Sequence, residues 1–102
     1  MSDNLAEFET MLNSTDKPVF VMFSAGFCSP CRLIKPIFLA ESKKSTKAVF
    51  VIVNMEEGND IFMEYKISKI PIIKVFIKGI EKDQLKGSSE DSLKKFISKH
   101  CT

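Results

Sequence analysis

Cys28 and Cys31 stand at Cys-X-X-Cys spacing in the run Phe27-Cys28-Ser29-Pro30-Cys31. Two thiols so placed have three chemical readings: a redox pair, half of a zinc site, or two unreactive core thiols. The flanking residues favour the first. An apolar run, Val19-Phe20-Val21-Met22-Phe23, precedes the pair, and residues with helical periodicity follow it. The cysteines therefore fall on a strand-to-helix junction, where free backbone N–H groups and the helix dipole stabilise a thiolate at the first sulfur. On that reading Cys28 is an exposed nucleophile and Cys31, one turn further on, is a buried resolving thiol. Pro30 suits the first turn of a helix, where no N–H is needed.

Apolar periodicity outlines the elements that must hold the pair. Leu5, Phe8, Met11 and Leu12 predict a first helix, with Ser2, Asp3 and Asn4 as candidate caps. After a polar turn from Asn13 to Lys17, Pro18 opens the run at Val19, which is apolar on both faces like a buried central strand. Downstream of the cysteines, Leu33, Ile34, Ile37 and Phe38 form one helix face and Lys35, Glu41, Lys43 and Lys44 the other. Pro36, inside that helix, predicts a kink. Ala48 to Asn54 reads as a second buried strand, Glu56 to Asn59 as a loop, and Asp60 to Tyr65 as a short helix. Ile70-Pro71 opens a third apolar run, Ile72 to Ile77. Lys78-Gly79 predicts a hairpin and Glu81 to Leu85 an edge strand. The last helix is capped by Ser88 or Ser89, carries Glu90 and Asp91 ahead of Lys94 and Lys95, and turns Leu93, Phe96 and Ile97 inward. The order predicts an α/β fold, a small mixed sheet with helices on both faces and an antiparallel edge.

Composition narrows the function. The 102 residues predict a single domain, 1–102. Fifteen basic and thirteen acidic side chains give a net +2, too weak to argue for nucleic acid or an anionic membrane. No apolar run approaches the roughly 20 residues of a membrane span. Met1 to Glu7 has neither the basic nor the apolar segment of a secretory leader, which predicts an intracellular protein. Three cysteines do not make a disulfide scaffold. Cys101 reads as a frayed surface thiol and His100 as a solvated helix end, with no metal site. Phe20, Phe23, Phe38, Phe50, Phe76, Phe96 and Met22 read as core, and Phe27 as partly exposed.

Phe23-Ser24-Ala25-Gly26-Phe27-Cys28-Ser29-Pro30-Cys31-Arg32, with Pro36, Ser68-Lys69-Ile70-Pro71 and Lys78-Gly79, resembles the thioredoxin family over nearly the whole chain. The resemblance implies a thioredoxin-like fold with a four-stranded mixed sheet, the family's first edge strand being truncated or missing here. It implies that Cys28 attacks a protein disulfide and Cys31 resolves the mixed disulfide. Pro71 becomes a cis-proline facing the pair, with Ile70 offering backbone hydrogen bonds to substrate. Phe27, Ser29 and Pro30 complete the substrate surface. No bound cofactor is implied; a thioredoxin-reductase-like enzyme or glutathione restores the dithiol of a cytoplasmic monomer. Four positions depart from the family pattern. Phe27 and Ser29 replace its Trp and Gly, and Met22 and Ile52 replace a buried acid and its lysine neighbour. The lost acid predicts harder deprotonation of Cys31 and altered tuning, whereas the lost buried pair favours stability. Ser29 adds a hydroxyl within possible reach of the Cys28 thiolate. The alternatives are an oxidase or isomerase with a more oxidising pair, and a redox-inactive binding module.

Overall fold

The computed structural model describes residues 4–87 and 89–101. Its elements run α1 (Leu5–Asn13), β1 (Val19–Ser24), α2 (Ser29–Lys44), β2 (Val49–Asn54), α3 (Asn59–Glu64), β3 (Ile72–Ile77), β4 (Ile80–Lys86) and α4 (Glu90–His100). The four strands form one sheet in the order β2-β1-β3-β4. β1 is parallel to β2 and antiparallel to β3, and β3 is antiparallel to β4.

Local chemistry sets the element ends. The Asn4 side chain caps α1, accepting from the N–H groups of Ala6 at 2.8 Å and Glu7 at 3.2 Å. The alternative caps Ser2 and Asp3 lie outside the described residues. Ser89 caps α4 by accepting from the Ser92 N–H at 3.3 Å, and Ser88 also lies outside the described residues. Lys78 and Gly79 both have positive φ, 53° and 82°, the backbone of a two-residue hairpin that matches strand twist. The α2 helix runs through Pro36, whose missing N–H leaves the Arg32 carbonyl without its helical donor.

β1 is the buried centre, and its alternating side chains feed two cores. Phe20 and Met22 join Ile34 and Phe38 of α2 and Leu93, Phe96 and Ile97 of α4 on one face. Val19, Val21 and Phe23 join Phe8 and Leu12 of α1 and Ile61 and Phe62 of α3 on the other.

Four expectations need correction, and Lys74 adds a burial that none of them covered. β2 is an edge strand, so Val49, Phe50 and Val51 are only half-buried although the run is apolar throughout. Leu33 is 69% exposed because the buried stripe of α2 is Cys31, Ile34 and Phe38, and Leu33 lies about 100° off it. Within the apolar β3 run, Lys74 is buried, with its Nζ held by Glu81 at 2.8 Å and Gln84 at 3.0 Å. His100 is no solvated helix end: its Nε2 lies 2.9 Å from Asp83 Oδ2 and its ring packs edge-on against Phe96. Cys101 is half-buried against the α2–α4 core, its Sγ 3.8 Å from Ser45 Oγ, rather than frayed. The His100 contact, with the Gln84 N–H, holds the Asp83 carboxyl below its ordinary 3.8. Across the molecule, burial and then the Glu9 carboxylate push the Tyr65 phenol up to about 12. The phenol donates to Glu9 Oε2 at 3.4 Å.

Candidate active site

The cysteine pair lies where β1 gives way to α2. Ser24 ends β1, its carbonyl accepting from the Met55 N–H at 2.9 Å, which ties the loop after β1 to the loop after β2. Cys28 then donates its N–H to the Ala25 carbonyl at 3.2 Å and stands as the N-cap of α2. Its Sγ accepts the N–H of Cys31 at 3.3 Å. A cap position is normally filled by Ser, Asp or Asn. Here sulfur serves, and a thiolate at that place faces the positive end of a 16-residue helix.

Cys28 and Cys31 form a disulfide, with Cα atoms 5.3 Å apart. Cys31 is 1% exposed, as expected. Cys28 is 8% exposed, more open than its partner but not freely exposed, because its sulfur is tied back to Cys31 inside the apolar cluster. That cluster contains Met22 and Ile52, which pair in register across β1 and β2, with Ile73 opposite Met22 on the other side. The floor beneath the disulfide is therefore apolar.

The rim is polar. Phe27 is 66% exposed, and Ser29 and Pro30 are exposed in the first turn of α2. The Ser29 hydroxyl is taken up by Arg32, whose Nη2 donates to it at 3.3 Å. Glu56 closes the loop by accepting the Gly26 N–H at 2.8 Å. Arg32, Lys35, Glu56 and Glu57 line a depression of about 420 Å³ that reaches Cys31. The Ile70–Pro71 peptide is cis; Pro71 is buried, and Ile70 packs half-buried against the cluster that holds both cysteines. Lys35, Glu56 and Glu57 were not singled out from the sequence as site residues. A signal existed: parallel strands β1 and β2 end side by side, and sites form outside the carboxyl ends of such strands. Among the described residues no three His, Cys, Asp or Glu side chains are placed to hold a metal, and no helix is long and apolar enough to cross a membrane.

A cysteine pair joined as a disulfide at the mouth of a helix, on a small mixed sheet, is the working part of a thiol–disulfide oxidoreductase. Known proteins agree. The family model described as Thioredoxin matches residues 1–99. The thioredoxin of Equus caballus is 33% identical over 96 residues, spanning 93% of this chain and 91% of that protein. Thioredoxin 1 of Plasmodium falciparum is 35% identical over 96 residues, spanning 94% and 91%. A solved structure of Plasmodium falciparum thioredoxin superposes with a TM-score of 0.92 at 32% identity, covering 97% of this chain and 96% of that one. The chain belongs to the thioredoxin family, and with it to the thiol–disulfide oxidoreductases.

Proposed function

We infer that this protein reduces disulfides in other proteins, with Cys28 as nucleophile and Cys31 as resolving thiol. The observation that carries the assignment is the Cys28 sulfur at the α2 N-cap, accepting the Cys31 N–H, while Cys31 lies deeper in the core. The Cys28 thiolate attacks one sulfur of the substrate disulfide and expels the other as a thiolate, which takes a proton from solvent. Cys31 then loses its proton and attacks Cys28 Sγ. The Cys28–Cys31 bond forms, the bond to substrate breaks, and the second substrate sulfur leaves as a thiolate. Two electrons pass from the dithiol to the substrate, with no bound cofactor.

The substrate segment lies along Ile70 and Pro71, against the exposed Phe27, Ser29 and Pro30. The deeper thiol deprotonates over the apolar floor of Met22 and Ile52, which slows release of product. A thioredoxin-reductase-like enzyme or glutathione restores the dithiol. The reading is of one domain acting as a cytoplasmic monomer.

Equilibration against glutathione buffers with alkylation readout tests the direction. A potential near about −270 mV supports a reductase; one near about −180 mV or above marks an oxidant or isomerase instead. Trapping of mixed disulfides by Cys31→Ser, and none by Cys28→Ser, tests the two roles. No trapped partner, with binding independent of redox state, identifies a binding module.

A further inference from the structure

β3 carries one charge where the rest of the strand is apolar. Lys74 alternates with Ile72 and Phe76, so it shares the α1–α3 side of the sheet with them. A buried ammonium is unfavourable unless paired, and Glu81 and Gln84 hold its Nζ. The register places Lys74 opposite Gln84 and Ile72 opposite Lys86, so Lys86 joins this group along the outer strand. A third lysine arrives from the end of α3. Lys66 has φ 54°, and the next residue, Ile67, donates its N–H back to the Phe62 carbonyl at 2.9 Å. This left-handed helix-ending position ordinarily goes to Gly or Asn. Lys66, Lys69, Lys74 and Lys86 line one depression of about 170 Å³, and its lining contains neither Asp nor Glu. Glu81 neutralises Lys74 from outside that lining, and Lys66, Lys69 and Lys86 have no ion pair among the described residues.

The depression adjoins Ile70–Pro71 on two sides. Lys69 immediately precedes Ile70, and the Gly87 N–H donates to the Pro71 carbonyl at 3.4 Å, which sets Lys86 beside the same segment. The depression at Cys31 is different: Arg32 and Lys35 there are matched by Glu56 and Glu57. The excess of positive charge belongs to one flank.

We propose that this lysine-lined depression receives carboxylate side chains of the protein being reduced, from an acidic segment beside its disulfide. The proposal rests on the reading of Ile70–Pro71 as the docking segment. A carboxylate carried on a chain already docked there reaches the lysines at high effective concentration, which favours it over a free anion. Charge complementarity of this kind acts mainly on encounter rate and on rejection of basic partners.

The test uses the full chain and two peptides that share one disulfide, flanked in one by Glu and in the other by Lys. The acidic peptide is expected to show kcat/KM higher by about tenfold at low salt, a preference that shrinks toward unity near about 0.5 M salt. The triple variant Lys66→Gln, Lys69→Gln, Lys86→Gln is expected to bring the ratio within about twofold of unity. These three side chains are exposed, so an unchanged thermal midpoint serves as the folding control. Equal rates for the two peptides overturn the proposal, as does a preference that survives in the triple variant. Uncharged hydroxyethyl disulfide separates the two readings: failure of the unmodified protein to reduce it overturns the functional assignment, whereas reduction of it without an acidic preference overturns only the pocket.

Discussion

The two faces of the sheet are built alike and used differently. Phe20, Phe38 and Phe96 pack on the α2–α4 face, and Phe8, Phe23, Phe62 and Phe76 on the α1–α3 face. Only the α2–α4 core contains the cysteine pair, and beneath the pair lie Met22, Ile52 and Ile73 with no ionisable group. The α1–α3 face has no cysteine in its core, yet it carries the buried Lys74 and the hydrogen-bonded phenol of Tyr65. Among the described residues the one buried charged side chain, Lys74, thus lies on the opposite side of β1 from the redox pair. Charges can act on the disulfide from its rim but not from its floor.

Substitutions can break that contrast. The largest effect belongs to the reactive pair: Cys28→Ser should reduce disulfide turnover to background, and Cys31→Ser should stop it after one attack, with mixed disulfides visible by non-reducing electrophoresis. Core substitutions on the two faces come next. Phe8→Ala should lower the unfolding free energy by about 3–5 kcal/mol in denaturant titration while leaving the Cys28–Cys31 potential unchanged. Met22→Asp should lower it by about 3 kcal/mol by burying a carboxyl without a partner. Unlike Phe8→Ala, it should also speed release of reduced substrate, by giving Cys31 a proton acceptor; equal release rates in the two variants would remove the contrast between the faces.

Titrations sharpen the comparison with smaller effects. Tyr65 is the only tyrosine and there is no Trp, so ultraviolet absorbance reports its ionisation directly. Its phenol should ionise near pH 12 rather than 10. The folded value is raised, so its contribution to stability is complete below pH 10 and lost as the pH climbs through about 12. Asp83, on the α4 side of β4, has the opposite sign. Its folded value is lowered from 3.8, so its contribution is present above that pH and lost as the pH falls through the depressed value. Asp83→Asn should flatten that acid limb slightly, read as the pH dependence of the thermal midpoint.

Much of this arrangement was legible in the residues. The runs apolar on both faces marked β1 and β3, the Lys78-Gly79 pair marked the hairpin, and the motif segments carried the active-site junction. What escaped depended on tertiary neighbours. Val49 to Val53 reads the same whether it lies at a sheet centre or at its edge, because only strand order decides, and β2 ended outermost. The apolar run around Lys74 says nothing of whether that side chain is buried; its burial depends on Glu81 and Gln84 arriving from β4. His100 is anchored by a carboxylate seventeen positions away, beyond the reach of local pattern. Glu56 entered the site only because β1 and β2 end side by side.

A group that closes a helix cannot change its charge without altering how firmly that helix is held. Folded and unfolded chain, each as dithiol or disulfide, form a closed thermodynamic cycle. Any inequality in folding stability between the two redox forms must therefore reappear as a displacement of this pair's potential from that of the same cysteines in an unstructured peptide. The exchange rate is about 1.4 kcal/mol for every 30 mV. A chemical denaturation curve, run once on each redox form, is in that sense an electrochemical measurement, and Cys28 is where the two quantities meet.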